Sequence, residues 1–103
     1  MKKEMKVYKL LLSIPKGKVT TYKAIGEKVG LPARYVGKIL SENEQPDRYP
    51  CYKVVRSDRR VGGYTVKGKN NGKTILMKIQ KLKRDRIVVK NNKVQERFIM
   101  RKL

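Results

Sequence analysis

The sequence contains no histidine, no tryptophan and only one cysteine, and these shortages exclude several classes of chemistry. Without histidine, His-based metal sites and every Ser-His-Asp or Cys-His catalytic arrangement are excluded. A single cysteine cannot build a disulfide framework or a cysteine-rich zinc site. The same scarcity of cysteine favours a reducing, cytoplasmic location.

The chain also lacks long apolar runs. No stretch approaches the roughly 18 residues that a membrane span needs. The N-terminus carries lysines, but no apolar segment with a small-residue cleavage site follows, so we expect neither a membrane segment nor a signal peptide. The 103 residues, of which 39% are apolar, predict one folded domain.

Acidic residues are scarce as well. The chain has 8 Asp and Glu against 28 Lys and Arg, for a formal net charge of +20. A folded domain this basic is typical of proteins that bind a polyanion, and nucleic acid is the prediction. General solubility is the alternative explanation of the charge.

Two short helices around Gly30 give the clearest structural pattern. Thr21 is placed to cap a helix over residues 22–29, Gly30 ends that helix, and the next is predicted over residues 33–42. Helices joined by a short turn at a glycine are typical of a helix-turn-helix. Two packed helices with no role in nucleic-acid binding would give the same pattern.

The other segments carry weaker signals, read from apolar periodicity, β-branched residues and turn residues. They predict helices over residues 4–14 and 72–84, short strands at 19–20 and 54–55, a hairpin over 87–94 that turns at Asn91 and Asn92, and one or two helical turns over 96–103.

The lone cysteine lies in the segment Pro50-Cys51-Tyr52-Lys53-Val54. Arg48, Lys53 and Arg56 are close to it in sequence, and cationic neighbours lower the pKa of a thiol and favour the nucleophilic thiolate. This pattern indicates a candidate nucleophile. A buried cysteine that serves only as a small apolar side chain is the alternative.

Five motifs occur in one order along most of the chain, from about residue 8 to 94. They are Ile14-Pro15-Lys16-Gly17-Lys18-Val19-Thr20-Thr21-Tyr22, Ala33-Arg34-Tyr35-Val36-Gly37, Asn43, Pro50-Cys51-Tyr52-Lys53-Val54-Val55 and Val61-Gly62-Gly63-Tyr64. In this order and spacing the chain resembles the C-terminal, DNA-binding domain of O6-alkylguanine-DNA alkyltransferases and of their alkyltransferase-like relatives.

The resemblance implies a chemistry. Members of the family flip the damaged guanine out of the duplex and move its O6-alkyl group irreversibly onto a cysteine, which would be Cys51 here. Arg34 would fill the gap left by the flipped nucleotide. Tyr22 would crowd its phosphate and donate a proton to the leaving base. Asn43 would tie the helix-turn-helix to the active-site loop. No metal or cofactor is expected, because the alkylated base is itself the leaving group.

The resemblance thus implies three groups of site residues. The catalytic group is Cys51, Tyr52, Tyr22, Asn43 and Asp85. The DNA-binding group is Thr21, Tyr22, Ala33, Arg34, Tyr35 and Lys38. The base pocket is formed by Pro50, Val54, Gly62, Gly63, Tyr64 and Thr65.

The chain departs from the family at two of these positions. The family has a histidine directly after the cysteine, where this chain has Tyr52, and its glutamate aligns with Asp85. A tyrosine, with an ordinary pKa near 10, is a poor base at neutral pH. A Tyr-Asp pair therefore cannot relay a proton as His-Glu does.

The fold expected from the resemblance is a mainly α single domain with a small β component and a winged helix-turn-helix. Within residues 1–103 we expect a helix-turn-helix at about 21–42, a reactive-site loop at about 43–56 and a wing or active-site loop at about 57–72. The expected partner is double-stranded DNA with an O6-alkylguanine lesion, approached from the minor groove by a monomer. Two rival functions remain: a lesion sensor that transfers nothing and recruits other repair proteins, and a winged-helix regulator without a pocket.

Overall fold

Helices supply most of the regular structure, and the strands are short. The computed structural model describes residues 2–103. In chain order the elements are α1 (Lys2–Ser13), β1 (Val19–Thr21), α2 (Tyr22–Val29), α3 (Ala33–Ser41), a 3-10 turn (Cys51–Lys53), β2 (Val54–Val55), α4 (Gly72–Arg84), β3 (Val89–Lys90), β4 (Lys93–Val94), a second 3-10 turn (Glu96–Phe98) and β5 (Ile99–Met100). The predicted mainly α domain with a small β component is thereby confirmed.

The α2–α3 pair is formed by local capping signals. The Thr21 hydroxyl accepts a hydrogen bond from the Ala24 amide at 3.0 Å and caps α2. Gly30 ends α2 in the left-handed conformation, at φ 78°. Gly26 allows the turn to close, because a β-carbon there would lie 2.3 Å from the carbonyl oxygen of Leu31. Helix α3 then packs against α2 and leaves its own outer face exposed.

The main sheet joins three parts of the chain that are distant in sequence. Strand β1 lies between β2 and β5, and both neighbours are parallel to it. Thr20 pairs with Val54 on one side and with Met100 on the other. Because β2 directly follows the 3-10 turn that begins at Cys51, its pairing with β1 fixes Cys51 next to the start of α2.

The C-terminal segment contains one helical turn, the shorter of the two alternatives expected. A single 3-10 turn at Glu96–Phe98 is followed by β5, so the second helical turn was wrong. Phe98 and Ile99 pack against the apolar cluster that contains Val19, Leu82 and Val94. Strand β5 hydrogen-bonds to β1. Partners 80 residues away therefore override the weak local helical signal. The predicted hairpin is present, with Asn91 and Asn92 at positive φ.

Residues 92–101 also fix the position of the segment between β2 and the glycines at 62–63. The Val94 amide donates to the Arg59 carbonyl and the Val61 amide to the Asn92 carbonyl, at 2.9 and 3.1 Å. The Arg101 guanidinium bonds the Glu96 carboxylate and also donates to the carbonyl of Ser57. These contacts position one wall of the cavity described below.

Two apolar clusters form the core. The larger one is built by α1, α2, α3 and the reactive-site segment, with Cys51 and Tyr64 among its members. The smaller one lies between β1, β2, α4 and the hairpin, around Val19, Leu82 and Val94. None of the helices within residues 2–103 is both long and apolar enough to span a bilayer.

Candidate active site

A cavity of about 430 Å³ opens between α3, the start of α2 and the segment that follows β2. A volume of this order is typical of ligand pockets. Its lining comes from four parts of the chain: Tyr22, Lys23, Ala33, Arg34, Gly37, Leu40, Ser41, Cys51, Arg56, Ser57, Gly62, Gly63, Tyr64, Thr65 and Asn70.

Cys51 lies at the inner end of this cavity. It begins the 3-10 turn before β2, and only 6% of its surface is exposed. The residue is thus both a member of the larger apolar cluster and part of the cavity lining. Cys51 is therefore buried, as expected of a cysteine that serves only as a small apolar side chain, and it also lines a cavity, as expected of a nucleophile.

The electrostatic surroundings of Cys51 differ from those inferred from its sequence neighbours. Burial is the strongest influence and raises the pKa of the thiol above its ordinary value. A hydrogen bond with the Asn43 side chain and the charges of Lys78 and Lys81 act in the opposite direction. The Lys53 ammonium instead donates to the Ile14 carbonyl at 2.8 Å. The expectation of a lowered pKa from sequence neighbours was therefore wrong.

Tyr22 and Gly62 form the wall beside Cys51. Burial, and then the neighbouring Cys51, raise the pKa of Tyr22 to about 12, so its hydroxyl keeps its proton at neutral pH. Gly62 has φ 75°, and a β-carbon there would lie 3.2 Å from the Arg56 side chain and 3.4 Å from the Tyr22 oxygen. A glycine at this position therefore leaves room for the Tyr22 hydroxyl to face the cavity.

Asn43 fixes the loop between α3 and the reactive-site segment. Its amide nitrogen donates to the Tyr49 carbonyl at 2.9 Å, and its amide oxygen accepts from the Gln45 backbone at the same distance. Asn43 also lowers the pKa of the Cys51 thiol. One amide thus fixes the loop and acts on the candidate nucleophile.

Tyr52 and Asp85 meet, but away from Cys51. The Tyr52 hydroxyl donates to the Asp85 carboxylate at 2.5 Å. Both residues line a second cavity of about 260 Å³, together with Pro50. Burial and this hydrogen bond raise the pKa of Tyr52 far above its ordinary value. The two residues therefore contact each other, but neither lines the cavity that holds Cys51.

The predicted DNA-binding residues divide between the surface and the interior. Ala33, Arg34, Tyr35 and Lys38 are all exposed on α3, and the first two line the cavity. Thr21 is buried, and its hydroxyl is engaged in capping α2.

The predicted pocket residues divide in a similar way. Gly62, Gly63, Tyr64 and Thr65 line the cavity of Cys51. Pro50 lines the second cavity, and Val54 is fully buried in the larger apolar cluster.

Sequence reasoning gave no role at this site to Asn70, Lys78 and Lys81, and it named Arg56 only as a cationic neighbour of Cys51. Asn70 and Arg56 line the cavity, and the Lys81 ammonium donates to the Tyr64 hydroxyl at 3.0 Å. Lys78 had a signal in the sequence: it lies between Thr74 and Leu82, four residues from each, on the buried stripe of α4. A lysine within an apolar helical stripe indicates a specific buried partner.

These features agree with the comparisons with known proteins. The family described as "6-O-methylguanine DNA methyltransferase, DNA binding domain" matches residues 2–87. The chain belongs to this family. Residues 88–103, which include β3, β4 and β5, lie beyond the matched region.

Curated relatives carry names from the same family. A methylated-DNA–protein-cysteine methyltransferase of Pyrobaculum aerophilum is 49% identical over 55 residues, which cover 53% of this chain and 37% of that protein. A bifunctional methyltransferase/endonuclease of Picrophilus torridus is 38% identical over 90 residues, covering 85% of this chain and 28% of that protein. The chain thus spans well under half the length of these relatives.

Solved structures share the fold. S. pombe Atl1, solved in complex with damaged DNA containing O6-carboxymethylguanine, superposes with a TM-score of 0.79 over 97% of this chain and 95% of that one, at 20% identity. Mycobacterium tuberculosis OGT in complex with DNA gives a TM-score of 0.67 at 30% identity, over 80% of this chain and 48% of that one. At 20% identity, the first likeness concerns the fold alone.

Proposed function

We propose that this chain binds duplex DNA, takes up a flipped O6-alkylguanine in the 430 Å³ cavity and transfers the alkyl group to the sulfur of Cys51. The observation that carries the proposal is the position of Cys51, buried at the inner end of a cavity whose outer rim carries Arg34 on the exposed face of α3. The names of the relatives, and the DNA in the solved complexes, support the same reaction class.

The proposed reaction is an in-line displacement. The Cys51 thiol first loses its proton to solvent in the open cavity. As the sulfur–carbon bond forms, the bond from carbon to the guanine O6 breaks, and its electron pair stays with the base. The Tyr22 hydroxyl, protonated because its pKa is about 12, is placed to donate a hydrogen bond to that base. No turnover follows, because the thioether is stable.

The proposed DNA surface is the α2–α3 helix-turn-helix, with α3 as the recognition helix. Arg34 would enter the gap left by the flipped nucleotide, approached from the minor groove, while Tyr35 and Lys38 contact the backbone. In this arrangement residues 21–42 bind DNA, residues 43–56 carry the nucleophile and residues 57–72 form the wing. The net charge of +20 supports this assignment.

A second candidate function is recognition of the lesion without transfer, followed by recruitment of other repair proteins. Two observations favour it: Tyr52 takes the place of the family histidine and bonds Asp85 outside the cavity, and burial raises the pKa of the Cys51 thiol. Both would slow transfer without affecting base uptake.

Incubation with a duplex that contains O6-methylguanine, followed by intact-protein mass spectrometry, separates the two functions. Transfer predicts a gain of one methylene mass. The second function predicts an unchanged mass together with tighter binding to the lesion than to undamaged duplex. An unchanged mass and equal binding to both duplexes would exclude both functions.

A further inference from the structure

The turn at residues 56–60 packs against residues 93–101, which lie beyond the family-matched region. Arg60 pairs with Lys93 of β4 in an antiparallel bridge. From further along the C-terminal segment, the Arg101 guanidinium donates to a backbone carbonyl of the turn at 3.1 Å. The two segments therefore form one continuous surface, the C-terminal basic surface.

This surface is rich in arginine, whereas lysine dominates the rest of the chain. Of the nine arginines in the sequence, five lie in these two segments: Arg56, Arg59, Arg60, Arg97 and Arg101. A guanidinium group presents a planar fork of donors that matches the oxygens of a phosphate, whereas an ammonium acts as a point charge. The composition of the surface therefore favours a phosphate-bearing partner over general solubility.

Two carboxylates orient the basic side chains without cancelling their charge. The Asp58 carboxylate lies 4.0 Å from the Arg56 guanidinium and 3.4 Å from that of Arg60. The Glu96 carboxylate accepts two hydrogen bonds from Arg101. These five side chains are 41% to 59% exposed, so their charges are open to a partner. With six cations against two carboxylates, the surface keeps a net charge of +4.

The C-terminal basic surface adjoins the cavity of Cys51 on a different side from α3. Arg56 and Ser57, at the start of the turn, line this cavity, and Arg34 lines it from α3. A DNA strand is continuous, so a strand whose nucleotide enters the cavity has phosphates on both sides of the entrance. Helix α3 is placed to contact the backbone on one flank, and the C-terminal basic surface is placed to contact it on the other.

We propose that the C-terminal basic surface binds the DNA backbone beside the flipped nucleotide, on the flank that α3 does not cover. The proposal rests on the proposed function, in which a flipped nucleotide enters the same cavity. It gives residues 93–101 a role in DNA binding that lies outside both the helix-turn-helix and the family-matched region. Because phosphates carry no sequence information, the surface contributes to binding on any duplex.

The salt dependence of DNA binding, measured by fluorescence anisotropy, tests this surface. The double variant Arg60→Gln/Lys93→Gln removes two exposed cations and keeps the backbone bridge between the two positions. The slope of log K against log salt concentration should become less steep by about 2, at about 0.9 for each lost phosphate contact. The matched control is Lys6→Gln/Lys9→Gln, which removes two exposed lysines of α1, the helix that packs on the buried face of α3. The control should leave the slope unchanged.

Two outcomes of the salt titration would overturn the proposal. The first is an unchanged slope in Arg60→Gln/Lys93→Gln, and the second is an equal change in the α1 control. A failure of the proposed function gives a different result, because the unmodified protein would then bind duplex DNA without selecting the lesion. An unchanged slope in a protein that does select the lesion refutes the second surface alone.

Directed cleavage of DNA locates the contact independently of affinity. Cys51 is the single cysteine of the sequence, so in a Cys51→Ser background one new cysteine can carry an iron–EDTA label. The labelled Lys93→Cys and Lys38→Cys proteins should cut the lesion-containing strand on opposite sides of the lesion. The labelled Lys9→Cys protein should give no focused cleavage, because Lys9 lies on α1. Cleavage from Lys93→Cys on the same side as from Lys38→Cys, or as diffuse as from Lys9→Cys, would overturn the proposal.

Discussion

Replacing Arg34 with alanine should weaken binding to lesion-containing duplex more than binding to undamaged duplex. Arg34 is exposed on α3 and lines the rim of the cavity, so it is placed to enter the space that a flipped nucleotide vacates. Because the side chain is exposed, its loss should change the stability of the protein by no more than about 0.5 kcal/mol. The binding effect therefore reports on the contact with DNA.

The expected size follows from the two parts of an arginine contact. The charge contributes equally on any duplex, whereas stacking in the vacated position is gained only when a base is flipped. Losing the second part should cost about 1–3 kcal/mol on lesion DNA alone, or about 5- to 150-fold in affinity. Fluorescence anisotropy with matched duplexes, with and without O6-methylguanine, measures both values at one salt concentration.

Lys38 is the matched control for this experiment. It lies one turn further along α3, is exposed and carries the same charge, but it does not line the cavity. Lys38→Ala should weaken binding to both duplexes by similar factors. If Arg34→Ala also weakened both duplexes equally, Arg34 would be a backbone contact and the proposed filling of the vacated stack would be refuted.

Three further predictions concern the charge, the cavity wall and the Tyr52–Asp85 pair. With about 5–8 phosphate contacts, log K plotted against log salt concentration should have a slope of about −4.5 to −7, and a slope shallower than about −2 would contradict a surface that follows duplex DNA. Gly62→Ala should slow alkyl transfer, because the added methyl group crowds the Tyr22 hydroxyl. Gly68 has a similar positive φ but no atom within 4 Å of a β-carbon, so Gly68→Ala should lower only the free energy of unfolding, by about 1–2 kcal/mol in chemical denaturation. Tyr52→Phe removes the 2.5 Å hydrogen bond to Asp85 and should lower the free energy of unfolding by about 1–3 kcal/mol. The transfer rate should change by less than about threefold. A large loss of rate at unchanged stability would instead assign Tyr52 to the catalytic group.

Local signals in the sequence predicted the helices well. The Thr21 cap and the Gly30 stop fix both ends of α2, and the apolar periodicity over residues 72–84 coincides with α4. Asn91 and Asn92 adopt positive φ, as the turn of a two-residue hairpin requires. In each case the information lies within a few residues of the element.

The sheet could not be predicted in the same way. Strand β5 has two residues and exists because β1, 80 residues earlier, offers unpaired backbone groups beside it. The local sequence around Phe98 and Ile99 gives no sign of that partner. A second helical turn was consequently expected where the structure has a strand.

At the candidate site, residue types were predictable, but their surroundings were not. Cys51, Tyr22, Arg34 and Tyr64 line one cavity, as the motifs suggested. The positive charges that most strongly favour the Cys51 thiolate nevertheless come from Lys78 and Lys81 of α4, about 30 residues away in sequence. The direction in which a side chain points, as with Lys53 and its bond to Ile14, depends on tertiary packing.

The central claim is that Cys51 accepts an alkyl group from DNA, and peptide-mapped mass spectrometry tests it most directly. The protein is incubated with excess duplex that contains O6-methylguanine and is then digested, with Cys51→Ser as the control. The account predicts one methyl group per protein molecule, located on the peptide that contains Cys51, no further gain with more DNA, and no gain in Cys51→Ser. A protein that binds the lesion selectively but leaves the Cys51 peptide unmodified, from neutral pH up to the pH at which iodoacetamide alkylates the same thiol, would contradict the claim.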